Sequence, residues 1–466
     1  MIIEQIYTGC LAEASYYIES NGEAVIIDPL RESEPYLEKL AKANVKLKYI
    51  FETHFHADFV SGHLDLAKKT GATIVYGPDA NPDFEVLQVT NGAELSLGDL
   101  TFKVLHTPGH TLECVCYLLN DKDKKPYALF TGDTLFIGDV GRPDLAIDNG
   151  LSKVDLAKML FQSLREKVMV LPDDIIIYPA HGAGSSCGKN MSKERFDTLG
   201  NQKKTNYALR TDMTEDEFIK EVLEGMPPPP EYFAFNAMLN KSGYEALDKI
   251  IEKGMTALSV EDFDTIGQKE NVVTIDTRHQ QIFKDGFVPG SLFFGLKGSF
   301  APWVGSVLKD INTKIIFIAD AGTEKEVITR LSRVGFDHVL GFLEGGFETW
   351  KNVGKPIDKI TSISALAFAN RLSQTSLNIL DVRKPGEYES SHIQDAVNSP
   401  LDYIGSQISA LENKEYYIHC AGGYRSMIYA SMMKKMGHDQ VIEIAGGYGA
   451  IRKEDGFIKV ESHCSL

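Results

Sequence analysis

Thr53-His54-Phe55-His56-Ala57-Asp58-Phe59 brings three metal-ligating side chains into six residues and then sets a phenyl ring where a fourth ligand could stand. The run that precedes it, Leu47-Lys48-Tyr49-Ile50-Phe51-Glu52-Thr53, is rich in apolar and aromatic groups and predicts a buried strand. The histidines therefore fall in the loop at the strand's C-terminal end, where layered α/β folds place their chemistry. Three further apolar runs end the same way: Thr101 to Leu105 leads into His106-Thr107-Pro108-Gly109-His110, Tyr127 to Phe130 into Thr131-Gly132-Asp133, and Ile175 to Tyr178 into Pro179-Ala180-His181-Gly182. A lone His at a strand end is usually structural, but four strands that each deliver a His or Asp point to one metal site.

This pattern resembles the metallo-β-lactamase superfamily, whose motif is H-x-H-x-D-H followed by a His, an Asp and a last His. The resemblance spans roughly the first half of the chain and implies an α/β fold, the αββα sandwich. Phe59 departs from it, standing where dinuclear members such as glyoxalase II carry the His that begins a second metal site. Two-metal sites hold their ions ~3.5–4 Å apart, and a missing imidazole weakens the second ion's hold. One metal per chain is expected. Two imidazoles and a carboxylate with other positions free suit non-haem Fe(2+) that must bind oxygen and substrate together. A residue-by-residue resemblance to the persulfide dioxygenase family, shared by Phe136-Ile137-Gly138-Asp139-Val140-Gly141-Arg142-Pro143-Asp144, implies His54, His110 and Asp133 as that triad. His56, Asp58 and His181 then orient ligands or a bound water. His63 reads as a helix residue, with Ser61 as the cap and Gly71 as the end.

Far downstream, Tyr416-Tyr417-Ile418-His419-Cys420-Ala421-Gly422-Gly423-Tyr424-Arg425-Ser426 predicts a strand, a Gly-rich loop and a helix. Such a loop can turn successive backbone N–H groups on one sulfur atom, and Arg425 stands close by, so Cys420 is expected to be a nucleophile near neutral pH. Cys420 and Arg425 have four residues between them. Cysteine phosphatases use a longer ring that admits a phosphate; the shorter one resembles the rhodaneses, where the cysteine carries a persulfide sulfur. That resemblance implies Cys420 and Arg425 as catalytic, with Gly422, Gly423 and Ser426 lining the sulfur cradle. Asp381-Val382-Arg383, Glu387-Tyr388 and His392-Ile393 match the upstream rhodanese pattern, in which Asp381 and Arg383 brace the loop.

An internal repeat extends this reading. Ile275-Asp276-Thr277-Arg278, Phe283, Gly286-Phe287-Val288-Pro289-Gly290 and Leu343-Glu344-Gly345-Gly346-Phe347 recur as Leu380-Asp381-Val382-Arg383, Tyr388, Ser391-His392-Ile393 and Ile444-Ala445-Gly446-Gly447-Tyr448. Two rhodanese-like α/β domains with parallel sheets are expected in tandem. The first one's loop is Ile318-Ala319-Asp320-Ala321-Gly322-Thr323-Glu324, and no cysteine occurs between Cys187 and Cys420. It cannot hold sulfur on cysteine and reads as a scaffold or docking unit. The expected domains are 1–250 (metallo-β-lactamase fold), 256–355 (inactive rhodanese-like) and 360–466 (active rhodanese), in keeping with ~150 residues per domain for a chain of 466. Met226-Pro227-Pro228-Pro229-Pro230 is read as a stiff segment within the first domain's tail, because Glu231 to Phe235 is too apolar for a linker.

The net charge of −17 opposes nucleic acid or an anionic membrane surface as the main partner. No apolar run approaches the ~18 residues of a membrane span, and the N-terminus lacks a leader pattern, so a cytoplasmic protein is expected. Six cysteines in so long a chain do not form a disulfide framework. Cys114 and Cys116 read as small core residues on one side of a strand, and Cys10 and Cys464 carry no context. Cys187 lies six residues past His181 in a loop that should border the metal pocket; it is either a plain loop thiol or a persulfide acceptor.

Taken together, the resemblances imply an enzyme that oxidises a low-molecular-weight thiol persulfide with O2 to sulfite and free thiol, coupled to a rhodanese that interconverts sulfite and thiosulfate. Arg142 would anchor the anionic substrate. A homo-oligomer, dimer or tetramer, is the family's habit. Two alternatives stand beside this reading: a zinc-dependent thioester hydrolase of the glyoxalase II kind fused to a sulfurtransferase, and a non-enzymatic sulfur carrier.

Overall fold

The computed structural model describes residues 1–146 and 150–461; Cys464 lies outside them. Two compact units emerge: Met1–Lys249 with Ser332–Gly335, and Ile250–Leu331 with the chain from Phe336 onward.

Among its described residues the first unit holds two six-stranded sheets. One orders Ile2–Thr8, Glu13–Ser20, Glu23–Ile27, Lys46–Phe51, Thr73–Tyr76 and Leu87–Gln88; the other orders Asp197–Thr198, Ile176–Pro179, Pro126–Gly132, Val115–Asn120, Leu100–His106 and Glu94–Leu97. Strand alternation explains the layering. Val25, Ile27 and Phe51 face the second sheet, where the Phe51 ring stacks on Tyr117 at 4.4 Å and meets the edge of Phe102 at 5.2 Å. Ala24, Ile26 and Ile50 point the other way, packing with Tyr36, Leu40 and Leu66 of the helices Glu34–Ala43 and His63–Thr70. A strand buried on both faces reads as a continuous apolar run, as these do. Leu118, Leu129 and Ile177 likewise pack against Leu160, Phe218 and Val222 of the helices Lys153–Ser163 and Glu215–Leu223. Helix, sheet, sheet, helix is the αββα sandwich.

The sandwich sets the site. Glu23–Ile27 runs parallel to Lys46–Phe51, and Pro126–Gly132 parallel to Ile176–Pro179, so Asp28, His54, Asp133 and His181 leave their strands at matching ends. The strand expected over 47–53 ends at Phe51, releasing Glu52 and Thr53 to the site loop. Ser61 does not cap the following helix. Gly62 is its N-cap, and the Ser61 hydroxyl donates to Glu52 Oε1 at 2.6 Å. Gly71 does end that helix, in the left-handed conformation.

In the second unit one fold occurs twice. Parallel strands order Ala257–Leu258, Val339–Leu343, Lys314–Ile318, Val272–Asp276, Leu292–Phe293 in the first repeat, and Thr361–Ile363, Val441–Ile444, Tyr416–His419, Ile379–Asp381, Val397–Asn398 in the second. The repeat reaches individual contacts. Arg278 binds Asp276 and the Gly286 carbonyl and lies 4.1 Å over Phe347; Arg383 binds Asp381 and the Ser391 carbonyl and lies 3.9 Å over Tyr448. Among the described residues no helix is long and apolar enough to cross a membrane.

Candidate active sites

His54 Nε2 and His110 Nε2 lie 3.8 and 3.4 Å from Asp133 Oδ2, and the three ligand atoms fall within 4.8 Å of one another. Ligands about 2.1 Å from one ion stand roughly 3.0–3.4 Å apart at tetrahedral or octahedral angles, so little adjustment would seat a metal here. A neighbour turns each ligand inward. Thr53 Oγ1 donates to Asp28 Oδ2 at 2.8 Å and so accepts from His54 Nδ1 at 2.9 Å; His110 Nδ1 donates to the Arg142 carbonyl at 2.9 Å. Both rings thus present a bare Nε2 to Asp133. Among the described residues His110 Nε2 and Asp133 Oδ2 are buried without a hydrogen-bonding partner. Two buried acceptors facing each other repel unless a cation joins them, and the donor set fits a metal.

Electrostatics prepare the same state. Burial and the neighbouring His56 hold His54 well below the usual imidazole range, and burial lowers His110. Burial alone would raise Asp133, but His181, His54 and His110 outweigh it and keep the carboxyl ionised. For His181 burial is overcome by Asp133 and Asp58, which raise it well above the ordinary value. Neutral imidazoles and a carboxylate are the forms a metal takes.

The other motif residues divide. Phe59 packs its ring 4.3 Å from the ring of His56. His56 Nε2 faces Asp28 Oδ1 at 3.1 Å and Glu52 Oε2 at 3.7 Å. Asp58 faces His181, and Glu113 Oε1 accepts the Phe55 N–H at 2.8 Å, holding the motif loop. Sequence reasoning missed Asp28, Glu52 and Glu113. Ile26-Ile27-Asp28 carried the signal of the other strands, an apolar run ending in a ligand-type residue, and Glu52 adjoins the motif itself. His63 is buried, 3.6 Å from Glu52 Oε1, apart from the metal ligands.

Arg142 is no substrate anchor in this structure: its guanidinium, 2% exposed, holds Asp144 through Nε (2.6 Å) and Nη2 (2.8 Å), the Ser186 carbonyl and the Pro227 carbonyl. With those donors engaged, it clamps the loop whose carbonyl orients His110. Cys187 is buried with its sulfur near Asp58 and His181, and burial together with Asp58 and Asp133 raises its thiol well above the usual range. Cys114 and Cys116 are both buried core residues, Cys116 within the strand and Cys114 just before it, 3.0 Å from Thr111 Oγ1.

In the second repeat Cys420 closes the strand Tyr416–His419 and precedes the helix Tyr424–Lys435. Among the described residues its sulfur receives the Gly423 N–H at 3.0 Å and the Ser426 hydroxyl at 3.5 Å, fewer donors than the sequence suggested. Space around Gly422 is open. A helix N-terminus adds its dipole to the cradle. Among the described residues Arg425 makes no hydrogen bond to the sulfur and instead pairs with Glu387 through both terminal nitrogens at 2.6 and 2.8 Å. From behind, Tyr448 N–H donates to the Cys420 carbonyl at 2.7 Å, and a Cβ on Gly447 would lie 2.3 Å from that oxygen. Strand register places Asp276 beside Ile318 and Asp381 beside His419, so Ala319 stands at the position of Cys420 in the first repeat. That repeat gives the active loop a seat instead: Tyr424 donates to the Gly295 carbonyl at 2.7 Å, and its ring lies against Gly298 and Phe293.

The metallo-beta-lactamase superfamily model matches residues 8–181, and the rhodanese-like domain model matches 259–353 and 364–454. The solved structure of a metallo-beta-lactamase from Staphylococcus aureus subsp. aureus COL is 31% identical, covering 74% of this chain and 98% of that one, with a TM-score of 0.65. ETHE1 from Myxococcus xanthus is 29% identical over 52% of this chain and 99% of that one, with a TM-score of 0.45. The rhodanese-like domain of the Anabaena sp Alr3790 protein is 26% identical over 22% of this chain and 79% of that one, with a TM-score of 0.20. The chain belongs to the metallo-β-lactamase superfamily and carries two rhodanese-like domains behind that fold.

Proposed function

We propose that the first unit is a persulfide dioxygenase with one ferrous ion per chain, and that Cys420 is the sulfur carrier of a sulfurtransferase. The first reaction converts a thiol persulfide, O2 and water into the free thiol, sulfite and two protons. The second moves the outer sulfur of a persulfide onto sulfite, giving thiol and thiosulfate, or runs in reverse.

One observation carries the single-ion reading: the positions beside Asp58 leave a second ion short of imidazole. Phe59 supplies none, and His181 faces carboxylates on both sides, Asp133 Oδ1 at 2.7 Å and Asp58 Oδ2 at 2.9 Å. His54, His110 and Asp133 would hold the ion, leaving positions open. Bound there, ferrous iron would hold the persulfide sulfur and O2 together and pass electrons from that sulfur to O2. The chain's own part is positioning. Thr53 and the Arg142 carbonyl fix which ring nitrogen carries the proton and aim the imidazoles, burial keeps the rings neutral, His181 holds one oxygen of Asp133 so that the other is the ligand, and the buried rings of Phe59 and Phe136 keep water out.

Asp58, His181 and Cys187 favour a second reading, since their ligand atoms also lie within 4.8 Å of one another. A second ion there would suit a zinc thioester hydrolase. The experiment is O2 consumption by anaerobically purified, iron-loaded protein on persulfides of glutathione, coenzyme A, bacillithiol and cysteine. We expect uptake with at least one, retained in Cys420→Ser while thiosulfate turnover disappears. No uptake with any persulfide, together with zinc-dependent thioester cleavage, would overturn the dioxygenase reading.

A further inference from the structure

The second repeat buries an acid to which the sulfur-transfer chemistry assigns no task. Glu443 lies within the strand Val441–Ile444, 1% exposed, between the strands bearing Ser362 and Ile418. Its Oε2 accepts from Ser362 Oγ at 2.6 Å. Its Oε1 stands 3.3 Å from Ser426 Oγ, which stands 3.5 Å from Cys420 Sγ. Ser426 has one hydroxyl proton and two acceptors within reach. The cradle leans on the same acid, for a Cβ on Gly423 would come within 3.3 Å of Oε1.

Resting on the sulfurtransferase reading, we propose that Glu443 is a positioning residue for sulfur transfer, acting through Ser426 to direct that hydroxyl's proton onto the Cys420 sulfur. Burial raises the Glu443 carboxyl against the two serine bonds and the charge of Lys284, which favours the neutral acid. A neutral acid donates to Ser426 Oγ and leaves the serine proton for sulfur; a carboxylate takes that proton for itself. Lys284 is the charge acting on Glu443, and Arg425, paired with Glu387, counts Cys420 among its charged neighbours. The step that gains is nucleophilic. The Cys420 thiolate attacks the outer sulfur of thiosulfate, the new S–S bond forms as the old one breaks, and sulfite leaves with the electron pair. Cyanide then takes the outer sulfur as thiocyanate, returning an electron pair to Cys420. Both ends of the cycle carry anionic sulfur at Cys420, which a hydroxyl donor stabilises.

The test uses the full-length protein and two readouts: thiosulfate-to-cyanide turnover against pH, and iodoacetamide alkylation of Cys420 against pH, followed on its peptide by mass spectrometry. Glu443→Gln, whose amide donates as the neutral acid does, should keep kcat within about threefold at pH 7 and abolish an alkaline fall in rate present in the wild type. Ser426→Ala and Glu443→Leu should each slow alkylation and lower kcat about tenfold, the weight of one hydrogen bond to an anion. Glu443→Gln as damaging as Glu443→Leu, a wild type without the alkaline fall, or unchanged alkylation in Ser426→Ala would overturn the proposal. A wild type that transfers no sulfur to cyanide sinks the sulfurtransferase reading instead, while the alkylation profiles still decide the hydrogen-bond chain.

Discussion

His181 is held between two carboxylates, its Nδ1 2.7 Å from Asp133 Oδ1 and its Nε2 2.9 Å from Asp58 Oδ2. A cationic imidazole there offsets the charge of both carboxylates and fixes Asp133 in one orientation. We predict that His181→Gln weakens metal binding about 10–100-fold, as expected when a group supporting a ligand is lost. Chelator competition on the loaded protein measures this. Unchanged affinity would show that Asp133 needs no such support.

Arg142 holds Asp144, two carbonyls and, through its own carbonyl, His110. Removing one side of a largely buried pair leaves the other charge uncompensated, so Arg142→Ala should lower stability by about 3 kcal/mol. Urea unfolding checks it. A variant of wild-type stability with only a raised KM would restore the substrate-anchor role.

Much of this was legible in the chain because metal ligation and sulfur chemistry demand side chains at the ends of apolar strands. His54, His110 and Asp133 converge as their strand ends suggested. What stayed hidden depends on distant partners. Nothing local to Arg142 shows that the Ser186 and Pro227 carbonyls take its remaining donors. Glu443 sits in an apolar strand as one acidic letter, and its meaning needs Ser362 and Ser426 beside it. Ser61 has a helix-cap residue's chemistry, but Glu52 takes its hydroxyl.

The role of the first repeat yields a third prediction. At Gly298 a Cβ would lie 2.3 Å from the Tyr424 ring. Gly298→Ala must displace Tyr424 and with it the loop that holds Cys420. Overpacking of this kind costs ~1–3 kcal/mol, and sulfur transfer to cyanide should fall about tenfold through misplacement of the nucleophile. Metal content should stay at the wild-type level, and full sulfur-transfer activity would deny the first repeat this supporting part.

Buried His63 has its pKa lowered to about 3, by burial and then by His56. In the unfolded chain it titrates near its ordinary value, so between roughly pH 6.5 and 3 the unfolded state binds the extra proton. This contribution to stability is complete above pH 6.5 and declines as pH falls, by at most about 1.4 kcal/mol per unit. Urea midpoints at pH 7 and pH 5 should drop less for His63→Phe than for the wild type; equal drops would contradict this.

Metal per chain, measured by elemental analysis on anaerobically purified protein, tests the single-ion reading most directly. We predict one iron per chain, falling below a tenth of that in His110→Ala. Two zinc ions per chain in active wild-type protein would contradict it.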